Sequence, residues 1–387
     1  MKLSFISQFM LFSKDSFFDI LYLAFMIANF FKKIFYPPNY LSLPVAGIEI
    51  CNKSIKYIEF FNKKGFFSVK KFGEVFLPPN IVKDGSVINR NALVKALTEV
   101  KNNISSDFVK LSIPEEQTYI FNVKLPKEAK TNVKEALEFK IEENVPLKLE
   151  ESSFEFEIVE DKASSQDVTL NVSVIPQKII SDYTNIFDQV GIYPISFETE
   201  SKMVASSVVL RGEKKSSIIV NIKDDSTVLI AVINGFVRLT SIISVGESTI
   251  RENLLKTGLF SDELVNGKFF ENDFSFETTY TKESYSSLVN IFSIFKDEIE
   301  KFNEYVIEKF PNTETPTKKN INKIILCGKS STLPGLAKHI NQNIHAEIIL
   351  ANAFSNVFDV GKDVSSLKFS DSLSFVTPIG LVISSYK

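Results

Sequence analysis

The chain has 387 residues, 44% of them hydrophobic and 24% charged, which is typical of a globular protein with two or three domains. Its 44 Lys and Arg residues nearly balance its 47 Asp and Glu residues, so the formal charge of −3 argues against nucleic acid as a partner. Two histidines are too few for a zinc-type cluster, and the distant Cys51 and Cys327 suit a reducing cytoplasm.

The N-terminal extension, residues 1–44, contains the apolar run FFDILYLAFMIANFF at residues 17–31. This run is shorter than the roughly 20 residues that a membrane-spanning helix needs, and Asp19 and Asn29 interrupt it. One interpretation is an amphipathic helix that lies in the membrane interface. The other is that Met26 is the true start, which leaves a short basic and aromatic lead-in.

The first subdomain begins in residues 45–110 with a strand, a tight turn and a second strand. These are GIEICNKSIKYIEF at residues 47–60, with Cys51–Ser54 as the turn. A third strand, FFSVKKFGEVFLP, a helix, NALVKALTEVKNNI, and a strand, FVKLSI, follow. This alternation predicts an α/β fold.

An inserted α+β subdomain is predicted at residues 111–192. It has the order strand YIFNVKLP, helix NVKEALEFKIEENVP, strands SSFEFEIVE and VTLNVSVIP, and helix KIISDYTNIFDQVG. The last two strands are expected to pair across the polar loop DKASSQD. Residues 193–210 are then predicted as a helix that returns the chain to the first subdomain.

The second subdomain, residues 211–387, repeats the start of the first. IVNIKDDSTVLIAV aligns with GIEICNKSIKYIEF, so that Ile222 matches Ile50 and the turn Lys223–Ser226 matches Cys51–Ser54. This spacing indicates an internal duplication. A mostly helical portion at residues 262–320 carries a helical apolar stripe that we expect in the core, consisting of Leu288, Ile291, Phe292, Phe295, Ile299, Phe302, Val306 and Phe310.

In layout and motif order the chain resembles the actin-like ATPase superfamily, and more closely the PilM family of type IV pilus assembly proteins, relatives of FtsA. The resemblance rests on the two aligned hairpins, on the insertion around LPKEAKTNVKEALEFKIEENVPLKLEESSFEFEIVE, and on IILCGKSSTLPGLAKHI near the C-terminus. The block 125–200 discriminates best, because generic actin-like proteins and sugar kinases lack it. The resemblance implies an actin-like (ribonuclease H-like) duplicated fold with an inserted α+β subdomain.

A nucleotide site follows from the same resemblance, with ATP and magnesium as the implied cofactors. The two hairpin turns of such proteins hold the phosphates, the turn after the third strand meets the adenosine, and the long helix faces the ribose. The candidate residues are Asn52, Lys53 and Ser54, then Asp225, Ser226 and Thr227, then Gly328, Lys329 and Ser330, and finally Glu298 and Lys301.

The phosphate motifs depart from the family pattern of Asp, an apolar residue and Gly. Here they read Glu49, Ile50, Cys51 and Asn221, Ile222, Lys223, and Lys329 follows Gly328 where the family has paired glycines. Glycine is favoured in a phosphate cradle because a Cβ blocks the close approach of the backbone. Glu49 is expected to reach magnesium only through water, and Asn221 lacks a charge. The sequence therefore predicts a degenerate site with no catalytic residues.

The predicted function is a cytoplasmic adapter, peripheral at the inner face of the plasma membrane. The resemblance implies that it binds the cytoplasmic N-terminal tail of a PilN-like bitopic membrane protein, in a groove between block 125–200 and the first subdomain. Pilus motor ATPases and a second copy of the chain are further partners of interest. The alternatives are an active ATP-hydrolysing protein or sugar kinase, and an FtsA-like filament protein.

Overall fold

A computed structural model describes residues 44–63, 66–160, 166–256, 282–310, 321–333, 335–342, 344, 346–357 and 366–384. The predicted interfacial helix and the alternative start at Met26 lie outside these residues. Two compact units divide the chain, Met1–Pro44 with Asn62–Phe66, and Val45–Phe61 with Phe67–Lys387. Every core, cavity and contact described below belongs to the second unit. Across the described ranges, no helix combines the length and apolar character required to cross a bilayer.

Strands alternate with helices along most of the chain. The strands are β1 Ala46–Ile50, β2 Ser54–Lys63, β3 Phe66–Phe76, β4 Val82–Lys83, β5 Ser86–Val87, β6 Phe108–Ile113, β7 Tyr119–Pro126, β8 Ser152–Glu160, β9 Asp167–Pro176, β10 Tyr193–Thr199, β11 Ser217–Ile222, β12 Thr227–Ile233, β13 Phe236–Ile243, β14 Lys323–Cys327 and β15 Glu347–Leu350. The α-helices are α1 Arg90–Asn103, α2 Val133–Asn144, α3 Gln177–Gln189, α4 Glu200–Val208, α5 Glu247–Lys256, α6 Lys282–Lys309, α7 Leu336–Ile340, α8 Phe369–Ser372 and α9 Val376–Ile383.

Two five-stranded sheets share one topology, which confirms the predicted duplication. Their orders are β10-β6-β1-β2-β3 and β15-β14-β11-β12-β13. In each sheet the central strand is antiparallel to the strand that follows it and parallel to a later one. The two hairpin turns also match, because the amide of Cys51 donates to the carbonyl of Ser54 (2.8 Å) and that of Lys223 to Ser226 (2.9 Å).

The core of the second half forms between its sheet and α6. The stripe predicted from helical spacing packs there, with Phe310 partly buried and its other seven members buried. β11, with the sequence SIIVNI, is buried at every residue because it has neighbours on both sides and its faces are covered. The apolar stripe of α6, which recurs every 3.6 residues, therefore packs in one core with the continuous apolar run of β11.

The insertion has a three-stranded sheet in the order β7-β9-β8, with β8 and β9 paired antiparallel as predicted. α2 covers one face, where Leu137 and Ile141 join a separate core with Val123, Leu170 and Val172. The last helix of the predicted insertion behaves differently. α3 packs with the first sheet, because its apolar face joins the core around β1.

The return segment 193–210 starts with a strand rather than a helix. β10 runs parallel to β6 at the edge of the first sheet, and only its continuation, α4, is helical. The prediction of a helix from residue 193 is therefore wrong, because the alternating pattern of Tyr193, Ile195 and Phe197 has the period of a strand.

The insertion also contacts the second sheet through its polar face. The side-chain amides of Asn122 and Asn171, which face each other on β7 and β9, donate to the carbonyls of Arg238 (2.8 Å) and Val237 (2.7 Å) on β13. Arg238 in turn donates its Nε hydrogen to the side-chain oxygen of Asn122. The insertion is thus anchored to both halves of the fold.

Two helices connect the halves and approach each other closely. All eight residues of α9 are buried, between α4 and β1. A Cβ added to Gly380 of α9 would lie 1.9 Å from the carbonyl oxygen of Met203 on α4, and one added to Gly47 of β1 would lie 2.3 Å from that of Pro378. Both positions need glycine because there is no room for a side chain.

We expect Gly380→Ala to destabilise the fold by about 3 kcal/mol, because the α4 backbone must move to admit a methyl group. Gly191→Ala is the control. Its added Cβ meets nothing within 4 Å and it suffers only the strain of a φ of +66°, which costs about 1 kcal/mol. Urea unfolding of both variants measures the difference. An equal loss in the two variants would show that the helix crossing tolerates a side chain.

Candidate functional site

A cavity of about 410 Å³ lies between the two hairpin turns. It is bounded by the ends of β1 and β11, by the neighbouring parts of β2, β3 and α5, by the turn after β14, and by α8 and α9. The duplicated sheets therefore bring their matching turns to one cavity, as the resemblance implies.

Six of the predicted site residues line this cavity, namely Glu49, Lys53, Ser54, Asn221, Gly328 and Lys329. Three others, Asn52, Asp225 and Ser226, line a separate cleft of about 30 Å³ beside the turns. The structure thus brings together residues from all three predicted contact segments, although the nucleotide contacts themselves stay a prediction.

The remaining four predicted residues line neither cavity. Thr227 is fully buried and its hydroxyl donates to the carbonyl of Val245 (2.7 Å). Ser330 is also fully buried. Glu298 and Lys301 pair with each other at 2.7 Å, with 40% and 70% of their side chains exposed. Their contact with a ribose, which the family resemblance implies, stays a prediction, because neither side chain lines the cavity.

An ion pair joins the two turns directly. The Nζ atom of Lys53 is 2.8 Å from Oδ1 of Asp225 and also donates to the hydroxyl of Ser248 on α5. Asn52 adds a longer contact of 3.4 Å from its side-chain amide to Asp225. Burial alone would raise the pKa of Asp225, but the hydrogen bonds from Lys53 and Ser248 hold it below its usual range.

A second pair is buried beside the cavity. Lys223, at the position where the family pattern has glycine, lies 2.7 Å from Oε2 of Glu200 and 3.8 Å from Glu116. The amide of Asn221 donates to the other oxygen of Glu200 (3.3 Å), and Glu200 is only 2% exposed. Burial alone would lower the pKa of Lys223, but these carboxylates raise it, so the lysine stays charged.

Glu49 faces a lysine rather than open solvent. It is 6% exposed and stands directly opposite Lys56 in the β1–β2 ladder. Burial raises the pKa of Glu49 to about 7, while Lys56, Lys223 and a hydrogen bond with Thr377 act in the opposite direction. Near neutral pH this carboxyl group is therefore only partly ionised.

The turn after β14 needs its glycine for packing. Gly328 has a φ of +88°, and an added Cβ would lie 2.0 Å from the carbonyl oxygen of Ile222. Its amide already donates to the carbonyl of Leu373 (2.9 Å). Gly328 thus holds β14 against the second turn, and Lys329 brings its side chain to the cavity.

Magnesium, which the family implies, fits these residues poorly. Among the residues that the structure describes, no group of three or more His, Cys, Asp or Glu side chains could hold a metal ion. Magnesium prefers ionised carboxylates, whereas Glu49 is partly protonated and faces Lys56, and Asn221 is neutral and bound to Glu200.

The residues that sequence reasoning missed are mostly charged and come from separate elements. The charged ones are Lys56, Glu74, Asp224, Glu247, Arg251 and Asp371. Lys56 and Asp224 had usable signals. A turn at Cys51–Ser54 fixes the hairpin register and sets Lys56 opposite Glu49, and Asp224 lies within the predicted turn Lys223–Ser226. The others reach the cavity through tertiary packing.

Solved structures with similar folds place the chain in a class. A chain of the PilM-PilN type IV pilus biogenesis complex is similar with a TM-score of 0.71 and 15% identity, over 89% of this chain and 99% of that one. MreB5 of Spiroplasma citri bound to ADP is similar with a TM-score of 0.52 and 12% identity, over 88% and 95%. The fold is that of the actin-like ATPases.

The sequence itself gives the family. The profile of the family described as type IV pilus assembly protein PilM matches residues 47–386. The chain therefore belongs to the PilM family and is an actin-like protein of type IV pilus assembly. No curated protein matches it.

Lys223→Met should destabilise the fold by about 3–5 kcal/mol, because it leaves Glu200 buried without its cationic partner. Adding Glu200→Gln should restore much of that loss. Lys53→Met is the matched control, since its pair with Asp225 is 49% and 40% exposed and should contribute at most about 1 kcal/mol. Urea unfolding measures all three variants, and a similar loss for both lysines would contradict the difference in burial.

The titration of Glu49 should make stability depend on pH. Because its pKa rises from 4.5 to about 7 on folding, its favourable contribution is complete below about pH 4.5 and is lost as the pH rises through 7. Glu49→Gln should remove a fall in unfolding free energy on the order of 3 kcal/mol. Urea unfolding at pH 5 and pH 8 tests this, and an unchanged pH dependence in the variant would refute it.

Proposed function

We propose that the chain is an adapter of the pilus assembly machinery that binds the cytoplasmic tail of a PilN-like bitopic membrane protein. The observation that carries this proposal is a groove of about 630 Å³, which we name the tail groove. Its walls come from the insertion, the first sheet and α4, with residues of the second half completing it. This is the region where the sequence predicts the partner site.

Edge strands make the tail groove suitable for an extended peptide. β8 is an edge strand of the small sheet and β10 of the first sheet, and both contribute lining residues. An edge strand offers backbone donors and acceptors to which an added segment can pair. A peptide in the groove could use either edge while its apolar side chains bind below.

The tail groove combines apolar surface with charges of both signs. Leu210, which is 55% exposed, and Phe236 supply apolar area. Lys202 lies 2.7 Å from Glu155 and 3.2 Å from Glu157, so it ties β8 to α4 along one wall. Apolar anchors with a polar rim are the usual composition of a peptide-binding surface.

The partner assignment draws on a relative. The PilM-PilN type IV pilus biogenesis complex contains the chain that this protein resembles along most of its length. A PilN-like partner would hold the protein at the inner face of the plasma membrane. Pilus motor ATPases and a second copy of the chain stay predicted partners.

The nucleotide cavity is proposed to be degenerate and without turnover. Its turns carry Cys51 and Lys223 in place of glycine, and ion pairs engage Lys53, Lys223 and Arg251. MreB5, whose fold is similar, is bound to ADP in one structure and to AMPPNP in another, so ATP remains the natural ligand to test. Steady release of phosphate from magnesium ATP would sink the proposal of degeneracy and favour an active ATPase.

Leu210→Asp should weaken binding of the tail peptide at least tenfold, about 1.4 kcal/mol. The bound peptide would bury the new carboxylate against its own apolar side chains. Fluorescence polarisation with a labelled synthetic tail of the PilN-like protein measures the affinity.

Ile88→Asp is the matched control for this substitution, because Ile88 is 58% exposed and does not line the tail groove. It should leave the affinity unchanged. Equal binding by the wild type and Leu210→Asp, or no binding by the wild type, would count against the adapter proposal.

A further inference from the structure

Lys56 brings a cationic side chain to the cavity wall. It projects from β2 opposite Glu49 and lines the cavity together with Glu74 and Asp224. Burial alone would lower its pKa, but Cys51 and the carboxylates of Glu49, Asp224 and Glu74 raise it. An ammonium group among several carboxylates therefore stays charged in the interior.

This arrangement parallels that of a metal ion in a nucleotide site. Magnesium there is held by one or two carboxylates on one side and by phosphate oxygens on the other. An ammonium group with three donors can bind the phosphate oxygens in the same way, although with a single charge. No ion pair within 4.0 Å is recorded for Lys56 in the described part of the chain, so its donors are not already committed to a carboxylate.

A second cation of the cavity is also uncommitted. Lys329 lines the cavity from the turn after β14 and, in the described residues, forms no ion pair within 4.0 Å. By contrast, Lys53 is paired with Asp225 and Lys223 with Glu200. Lys56 and Lys329 are thus the two lysines whose charge remains available for a ligand.

Two acids of the cavity already have partners within the protein. Glu74 accepts a hydrogen bond from the hydroxyl of Ser54 (2.6 Å), and Glu247 pairs with Arg251 (2.7 Å). Asp224 lies close enough to Lys56 to raise the pKa of the lysine, and Asp371 contributes one further carboxylate. Five acidic and five basic side chains line the cavity, so the lining does not carry the surplus of negative charge that would draw in a divalent cation.

We propose that the cavity binds a phosphate-bearing ligand without a divalent metal, with Lys56 as the built-in counter-ion and Lys329 as a second cationic contact. This inference rests on the proposed degenerate nucleotide cavity and gives its ligand chemistry. Charge-assisted hydrogen bonds from lysine to phosphate are strong enough to hold such an anion.

Isothermal titration of the full chain with ATP, and separately with inorganic tripolyphosphate, tests the proposal in EDTA and in magnesium. Binding of ATP should be equal within about twofold in the two buffers.

Lys56→Met should weaken binding in EDTA at least tenfold and Lys329→Met at least threefold. Lys95→Met, at an exposed position of α1 that does not line the cavity, is the control and should change nothing. Binding of tripolyphosphate as tight as that of ATP would assign the ligand as a free polyphosphate, and tighter binding of ATP would assign it as a nucleotide; both outcomes support the phosphate site.

Three results would overturn the inference: binding that needs magnesium, no binding in either buffer, or binding in EDTA that neither lysine variant weakens. If Lys56→Met fails to fold, as judged by its thermal transition, Lys329→Met decides.

The same preparations are assayed with the tail peptide. Peptide binding without ATP binding would reject the metal-free phosphate site and support the adapter proposal. ATP binding in EDTA without peptide binding would support the phosphate site and reject the adapter proposal.

Discussion

The close approach of α4, α9 and β1 is the constraint on which the rest of the structure depends. Gly380 and Gly47 allow backbone to meet backbone there, and no side chain fits at either point. Because α9 packs on β1 while it crosses α4, the ends of β1 and β11 are brought to a common cavity. Only then can Lys53 of one turn reach Asp225 of the other. The two glycines, neither of which lines the cavity, therefore help to determine the geometry of the charged site.

Interior charges have replaced the glycine-rich cradle expected of an actin-like site. Lys223 turns toward Glu200, and Lys56 faces Glu49 across a strand pair. Removing one partner of the buried pair of Lys223 and Glu200 is costly, while changing both together is much less so. Single substitutions that revert toward the family pattern are thus disfavoured. This physical barrier helps to explain how the actin-like fold is kept while the two turns depart from the phosphate motifs of the family.

Much of the fold could be predicted from the sequence because local patterns specify it. β6, β7 and β8 begin and end where their alternating apolar residues do, and the stripe of α6 is buried as its spacing requires. α3 shows the limit, since its apolar face fits either neighbouring core and packing alone selects the first sheet. The site was less predictable. Residues in the turns were found, whereas Arg251 and Asp371 approach through tertiary structure, and Glu298 and Lys301 do not line the cavity.

The anchoring of the insertion to β13 has a consequence for sequence variation. Asn122 and Asn171 bond to carbonyl oxygens of β13, which every residue type supplies. Apart from Arg238, whose side chain returns a bond to Asn122, the exposed positions of β13 can therefore change identity without loss of these acceptors. The requirement is one-sided, because an amide must remain on the insertion. At this contact, change in β13 is therefore constrained mainly at Arg238, while the insertion must keep its two asparagines.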